Sequence, residues 1–505
     1  MHAEVDGSTP ARPVRPVCPI PTDFENASVH MIGIGGAGMS GAAALLRNLG
    51  ARVSGSDLTP FEGMGKMLHS GIHVSIGHAK TQVPTDARLV VISAAIPQAN
   101  PELVEARERG IPIVKYAELL GGLMRIREGV AISGTHGKST TSGMCVHLFQ
   151  QGGLSPSFVI GASSAQLGGS SGAGSGSHLI VESCEFDRSF LKFRPKFAAI
   201  LNIEPDHLDC YRDLDDIAEA FAAFAGNVAA DGLLVCNADD PRTAAAALAS
   251  RARVETFGFC ESADWRACNL RCDRGRFSFD VRYRDRLAVS TSLAIPGRYN
   301  VSNALAAIAL ACEAGVRPED VAGSLPTFLG VDRRLTLRGA ARGVTILDDY
   351  AHHPTEIRVT IEAARARYEP KRMWVVFQPH QHARTRHFMS QFAESFIGIE
   401  EIIVPDVYGA REQAQADADS PELVRRICGN GQRARYLSRL ESVAPYLIER
   451  VGEGDVILIM GAGDVWKVAD ELVERFCGSD RVRCPAGPAD VVPAGGRRAI
   501  SVPAA

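Results

Sequence analysis

Three things are scarce in this chain, and each scarcity removes a class of function. Basic residues do not exceed acidic ones: 54 Lys and Arg stand against 58 Asp and Glu, a formal charge of −4. The positive footprint that tracks a phosphate backbone is missing, so nucleic acid is not an expected partner. Long apolar runs are absent as well. No stretch approaches the roughly 18 unbroken apolar residues of a membrane span, and the opening MHAEVDGSTPARPVRPVCPIPTDF has no apolar core of a secretory signal. A cytoplasmic protein without a membrane anchor is expected. Patterned cysteine is the third absence. The twelve cysteines are scattered, some within apolar stretches such as those around Cys145 and Cys312, a usage that suits reduced thiols. Cys268 and Cys272 have no matching His or Cys pair nearby and read as structural residues rather than zinc ligands.

What remains is an ordinary globular composition, 46% hydrophobic and 22% charged over 505 residues, long enough for several domains. From Val29 the chain alternates short apolar runs with helix-like segments, the pattern of a parallel sheet covered by helices. One such series runs to about residue 125. A second opens with GVAISGTHGKSTTSGMCVHLF and continues through HLIVE, FAAILNI and GLLVCNADD. Within it the run LGGSSGAGSGSH, Leu167 to His178, reads as a loop whose flexibility would bear on substrate access. Residues 262 to 295 suit antiparallel strands at the edge of that series. A third series starts near Gly339, with a helix expected from Pro354 to Arg367 and another near Phe388 to Ile397. The fold expected is therefore α/β, with domains at 26–125, 126–334 and 335–477. A loose extension over 1–25 and a disordered tail over 478–505 flank them.

Two glycine-rich loops carry chemical information. GTHGKSTT, Gly134 to Thr141, lies between a strand and a helix, where backbone N–H groups and the helix N-terminus favour phosphate. Lys138 would meet the β- and γ-phosphates and Ser139 a magnesium ion. The loop departs from G-x-x-x-x-G-K-[ST] because Ile132 occupies the first glycine position. Glu182 and His207, each at the end of a following strand, fall on the same side of a parallel sheet and are candidate metal groups with Ser139. The earlier loop, Gly33-Ile34-Gly35-Gly36-Ala37-Gly38, fits G-x-G-x-x-G after a strand, with Asp57 at the end of the next strand. That combination indicates a diphosphate and a ribose hydroxyl without naming the base or sugar.

These strings, together with VESCEFDRSF, NIEPDHLDCY, NADDP, GRYNVSNALAA, FLGVDRRL, DDYAHHPTEI and FQPHQHARTR, stand in an order and spacing that resemble the Mur ligases. The resemblance spans roughly Val29 to Phe476. Within the family it is to the member that joins L-alanine to the lactyl carboxylate of UDP-N-acetylmuramate in peptidoglycan precursor synthesis. The resemblance implies an N-terminal Rossmann-like domain, a central P-loop ATPase-type domain with a mainly parallel sheet, and a C-terminal Rossmann-like domain. It also implies ATP and Mg²⁺, an acyl-phosphate intermediate, and a monomer or homodimer. Matched residue by residue, Gly134, Thr135, His136, Gly137, Lys138, Ser139 and Thr140 hold phosphate, Asn300 and Asn303 the adenine, and Arg334 and Asp349 face the nucleotide. Ser139, Glu182 and His207 take the metal. Gly35, Gly36, Ala37, Gly38, Met39, Ser40, Asp57 and Ser93 bind the UDP-sugar. Tyr350, His352, His380 and Arg384 meet the amino acid and the muramyl carboxylate. Lys138, His207, Arg334, His352 and His380 are the catalytic candidates, and the choice between His352 and His380 as proton acceptor is open.

The pattern is not matched everywhere. Tyr299 stands where the family usually has histidine, and Gln381 where an arginine often follows the histidine of F-Q-P-H, a loss that Arg384 and Arg386 could compensate. The segment after Asp209 lacks the lysine that other members carboxylate, so no carbamoyl-lysine is expected. Three alternatives stay open on the residues alone. A nicotinamide-dependent oxidoreductase would use the first loop and Asp57 but leaves Lys138, Glu182 and His207 without a role. A non-enzymatic nucleotide-binding regulator would not need the His- and Arg-rich third series. A muropeptide-recycling ligase of the same family would lack the G-G-A-G-M string.

Overall fold

The computed structural model describes residues 20–477 apart from 62, 208–209, 411 and 413–418. The expected tail and nearly all of the expected N-terminal extension lie outside the described residues. The chain divides after Gly122 into two compact units.

In the first unit, strands β1 (Ser28–Ile32), β2 (Arg52–Asp57), β3 (His73–Ile76), β4 (Leu89–Ile92) and β5 (Ile113–Lys115) form one sheet in the order β3-β2-β1-β4-β5. Every pairing is parallel. β1 and β4 are buried along their whole length, which is why they read as unbroken apolar runs rather than alternating ones. The strand order reverses at β1 and β4. Ligands of open parallel sheets collect outside the carboxyl ends of strands at such a reversal. The loop GIGGAGMSG leaves β1 at that point and passes into the helix Ala37–Asn48.

The second unit contains two sheets. The first is built from β6 (Glu128–Ser133), β7 (Ser157–Val159), β8 (Ser171–Gly172), β9 (His178–Glu182), β10 (Phe197–Ile200), β11 (Leu233–Asn237), β12 (Arg253–Gly258), β13 (Trp265–Asp273), β14 (Arg276–Tyr283) and β15 (Arg286–Ser292). Its order is β15-β14-β13-β12-β11-β10-β6-β9-β7-β8. The centre is parallel, and β13 to β15 form the antiparallel edge expected from residues 262–295. Two helices, Lys138–Gln151 and Arg298–Glu313, are buried along most of their lengths. Their small and apolar residues, Cys145 and Ala304 to Ala311 among them, merge into one core with the sheet.

The glycine-serine run is a loop over most of its length, with one short paired segment. Part of it is β8, paired antiparallel to β7, and Gly174 and Gly176 lie so close to the carbonyls of Ser155 and Leu154 that a Cβ would not fit. Glycine at these two positions permits the close backbone approach.

The other sheet comprises β16 (Thr336–Ala341), β17 (Val344–Asp349), β18 (Met373–Phe377), β19 (Glu401–Val404), β20 (Ala434–Tyr436) and β21 (Val456–Met460), in the order β16-β17-β21-β18-β19-β20. Only the β16–β17 pair is antiparallel. Side chains alternate between its faces: Leu347, Val375, Phe377 and Leu458 enter one core, while Ile346, Trp374, Val376 and Ile457 enter the other. The helix Pro354–Tyr368 follows β17. Its N-terminus is set by proline at the first helical position and by the His353 ring, which accepts the Thr355 N–H. The expected helix near Phe388 to Ile397 is shorter, Met389–Glu394. Among the described residues, no helix is long and apolar enough to cross a membrane.

Candidate active site

The loop GTHGKSTT joins β6 to the helix Lys138–Gln151, the strand-to-helix turn that phosphate binding requires. Gly137 caps that helix at φ +82°, and a Cβ there would lie 2.5 Å from Asn303 Oδ1. Only glycine suits the position on both counts. The loop serves two cavities. Thr135, Gly137, Lys138 and Ser139 border one of about 410 Å³, while His136, Gly137 and Thr140 border another of about 180 Å³.

The larger cavity holds the charged groups. Lys138 Nζ lies 2.9 Å from Glu185 Oε2 and also donates to the Thr135 carbonyl at 2.9 Å. Burial alone would lower its pKa, but the Glu185 carboxylate outweighs burial and holds it above the ordinary lysine value. Ser139 Oγ donates to Glu182 Oε1 at 3.1 Å, and Glu182 Oε2 accepts the Gly161 N–H at 2.6 Å. A hydroxyl and a carboxylate meeting at the end of a phosphate loop are the hard oxygen donors that Mg²⁺ prefers, so the residues fit that ion. His207 reaches the same cavity from the loop after β10 rather than from a strand end. Its φ is +51°, and its Nε2 lies 3.8 Å from Asp206 Oδ2 and 3.9 Å from Glu185 Oε1. Glu185 and Asp206 were not singled out from sequence. The available signal was position alone, since both lie in loops that follow parallel strands, within quoted motifs.

The smaller cavity is bordered by Asn300 and Asn303 from the first turns of the helix Arg298–Glu313, and by Tyr299, Arg334 and Asp349. Asn303 Nδ2 donates to Asn300 Oδ1 at 3.1 Å, and Asn300 Nδ2 to the Pro296 carbonyl at 2.6 Å, so the pair is oriented before any base arrives. Both Asp349 oxygens accept backbone N–H groups, from Leu335 and Ala351, each at 2.7 Å. Burial nevertheless raises its pKa to about 7. Arg334, which borders both cavities, lies between Arg333 at φ +59° and Leu335 at φ +50°. Left-handed backbone at bulky residues is costly and persists where the surroundings impose it.

From the six-stranded sheet, Tyr350, His352, His380, Gln381 and Arg384 border the larger cavity. His352 Nδ1 lies 3.0 Å from the Tyr350 carbonyl and 3.4 Å from Glu356 Oε2. Two acceptors at one nitrogen require Nδ1 to carry the hydrogen, which leaves Nε2 with its lone pair. His380 is the reverse, because its Nδ1 accepts from Arg384 Nη1 at 3.0 Å and Nε2 must carry the hydrogen. Burial lowers His352 to about 3 and His380 to about 4. Arg384 is paired rather than open to a ligand: its Nη2 is 2.5 Å from Asp206 Oδ1, both side chains being buried. Arg386 lies 3.0 Å from Asp419. Of the two, Arg384 borders the larger cavity beside Gln381.

The first unit shows one arrangement of its own. Asp57 Oδ2 accepts the Gly35 N–H at 2.8 Å, tying the acid at the end of β2 to the glycine loop. Ser93, at the end of β4, donates its N–H to the Ile32 carbonyl and accepts the Ala95 N–H at its hydroxyl. The helix that carries Gly38, Met39 and Ser40 starts directly after Gly36.

Known proteins repeat this architecture in the same order. Residues 28–128 match the description Mur ligase family, catalytic domain. Residues 132–311 match Mur ligase middle domain, and residues 333–463 match Mur ligase, glutamate ligase domain. A UDP-N-acetylmuramate–L-alanine ligase from Geotalea uraniireducens is 39% identical over 451 residues, 89% of this chain and 98% of the relative. The protein of that name from Solibacter usitatus is 40% identical over 90% of this chain and 96% of its own. Among solved structures, the UDP-N-acetylmuramate-alanine ligase MurC of Thermotoga maritima superposes with a TM-score of 0.73 at 28% identity, covering 89% of this chain and 99% of that one. A murein peptide ligase from Psychrobacter arcticus shares the fold, with a TM-score of 0.63 at 23% identity, over 90% of this chain and 99% of its own. Three family segments in chain order and relatives alike from end to end make this chain a member of the Mur ligase family.

Proposed function

We propose that the enzyme joins L-alanine to the lactyl carboxylate of UDP-N-acetylmuramate at the expense of ATP, releasing ADP and phosphate in peptidoglycan precursor synthesis. The observation that carries this reading is the larger cavity. It brings Lys138, Ser139, Glu182 and His207 from the ten-stranded sheet together with His352 and His380 from the other sheet. A phosphate-binding face thus meets a face able to receive an amine, as a carboxylate–amine ligase requires. The names of the full-length relatives support the substrates. A nicotinamide oxidoreductase would leave this cavity without a purpose.

A carboxylate is a poor electrophile towards an amine. Attack of the lactyl carboxylate oxygen on the γ-phosphorus of ATP, with cleavage of the bond to the ADP oxygen, converts it into an acyl phosphate. Two anions meet in that step, so positioning and charge stabilisation dominate it. Lys138 and Arg334 are placed to oppose the repulsion. Ser139 and Glu182 would hold Mg²⁺, which when bound neutralises phosphate oxygens. The amine of L-alanine then forms the C–N bond, phosphate leaves with the C–O bond, and the nitrogen gives up a proton. His352 Nε2, whose lone pair is free of the bonds at Nδ1, orients the amine by accepting its N–H, while the proton itself passes to water because burial lowers this imidazole to about 3. His380, with hydrogen on Nε2, is a donor that orients an oxygen. The aqueous substrates, ATP and a UDP-sugar, agree with a cytoplasmic enzyme.

The test is phosphate release by purified protein with UDP-N-acetylmuramate, MgATP and a panel of amino acids. Release should require the acceptor, be greatest with L-alanine, and cease when EDTA removes the metal. Release with no amino acid of the panel would overturn the proposal.

A further inference from the structure

The phosphate loop is tied to the six-stranded sheet by the side chain of His136. The His136 backbone N–H donates to Asn202 Oδ1 at 2.7 Å. Its ring lies between two carboxylates, with Nδ1 3.3 Å from Glu356 Oε1 and Nε2 3.4 Å from Glu204 Oε2. Glu356 comes from the first turn of the helix Pro354–Tyr368. Glu204 follows β10 and accepts the Thr355 hydroxyl at 2.8 Å, so the same seam is bridged twice.

An imidazole facing an acceptor at each nitrogen satisfies both only as the imidazolium. Burial would lower the His136 pKa, but Glu204 and Glu356 raise it to about 9. The other groups packed here do not compete for that charge. His353, with its ring centre 4.6 Å away, accepts the Thr355 N–H at Nδ1 and therefore donates from Nε2 to the Pro205 carbonyl, which makes it neutral. It offers no lone pair, so the cluster His136, Glu204, His353 is a hydrogen-bonded latch rather than a metal site. Arg334 approaches Glu356 from another side at 3.8 Å, and His352 Nδ1 lies 3.4 Å from it.

Glu356 borders both cavities. Its negative charge therefore lies where an adenosine pocket gives way to the phosphate pocket, and a carboxylate there would repel phosphate and retain Arg334. We propose that His136 is a positioning residue whose charged ring ties Glu356 to the phosphate loop. It locks the helix Pro354–Tyr368 onto that loop and leaves Arg334 available to the nucleotide phosphates. The latch is thus a link between nucleotide binding and closure of the two sheets of the second unit around the cleft.

The kinetic arm of the test rests on the ligase reading, and the scattering arm does not. In a double-mutant cycle, His136→Asn should raise the KM for ATP roughly tenfold with a smaller change in kcat, and adding Glu356→Gln, which removes the carboxylate left bare, should restore part of that loss. Small-angle scattering of the ligand-free protein gives the second readout. A raised pKa stabilises the closed contact fully below about pH 6.5 and loses that stabilisation as pH rises through about 9. The wild-type radius of gyration should increase across that window, whereas His136→Asn should be expanded at neutral pH and insensitive to it. Glu356→Gln leaves the loop unchanged and guards against misfolding of the loop variant. Additive effects on KM, or a pH-dependent expansion that survives in His136→Asn, would overturn the latch. Wild-type protein without ligase activity would sink the functional reading while leaving the scattering result to decide this one.

Discussion

Lys138 and Glu185 form a buried ion pair, Nζ to Oε2 2.9 Å, inside the cavity that the phosphate loop borders. The pair fixes the ammonium on a side chain that would otherwise have many rotamers, and it keeps the charge in a desolvated place. Lys138→Ala should lower kcat by on the order of 10²–10³. Glu185→Gln keeps the shape and the lysine charge, so a smaller loss of about tenfold is expected. Acceptor-dependent phosphate release measures both. Near-normal turnover in Lys138→Ala would show that the cavity does not carry the chemistry.

Gly137→Ala tests the same loop without touching a charge. The new Cβ would meet Asn303 Oδ1 at 2.5 Å, on a backbone with φ +82°. Left-handed strain costs about 1–3 kcal/mol, and displacement of Asn303 would also disturb the Asn300 pair. Calorimetric titration with ATP should show loss of binding in a protein that still folds. Unaltered affinity would mean that the asparagine pair does not hold the base.

The Asp206–Arg384 pair gives a prediction about stability. Each side chain is buried, and the bond spans the two sheets of the second unit. Asp206→Ala leaves a buried guanidinium without its carboxylate, which costs about 3–5 kcal/mol. A clear fall in the thermal midpoint is expected. An unchanged midpoint would mean that the pair is open in solution.

Glu204 supplies a pH dependence. Burial would raise its pKa, but the bond and charge of His136, together with the Thr355 hydroxyl, outweigh burial and lower it to about 2 from an ordinary 4.5. Its contribution to stability is present above about pH 4.5 and is lost as pH falls through about 2. Thermal midpoints of wild type and Glu204→Gln should therefore differ most above about pH 4.5 and converge in acid. A difference that stays constant over this range would exclude the linkage.

Much of this protein was determined by sequence alone, wherever the cause is local. Apolar runs of strand length marked the buried parallel strands. Glycine at Gly134 and Gly137 marked backbone that bends where side chains cannot follow. The alternation over residues 262–295 marked the antiparallel edge. The family resemblance named many of the residues that border the two cavities, Lys138, Asn300 and Arg334 among them, because motifs at loop ends travel with their chemistry. Charge pairing was decided only in three dimensions. His136 meets Glu356 across 220 positions of sequence, and Arg384 meets Asp206 across 178. No periodicity or propensity encodes such a meeting. The same cause gave Arg384, at the edge of the larger cavity, a buried carboxylate partner, and gave the glycine-serine run a short strand, Ser171–Gly172, within its loop. A carboxylate's partner depends on which elements the fold brings together and how much water it excludes. Those are properties of the folded chain, whereas the turn of a glycine loop belongs to the residues themselves.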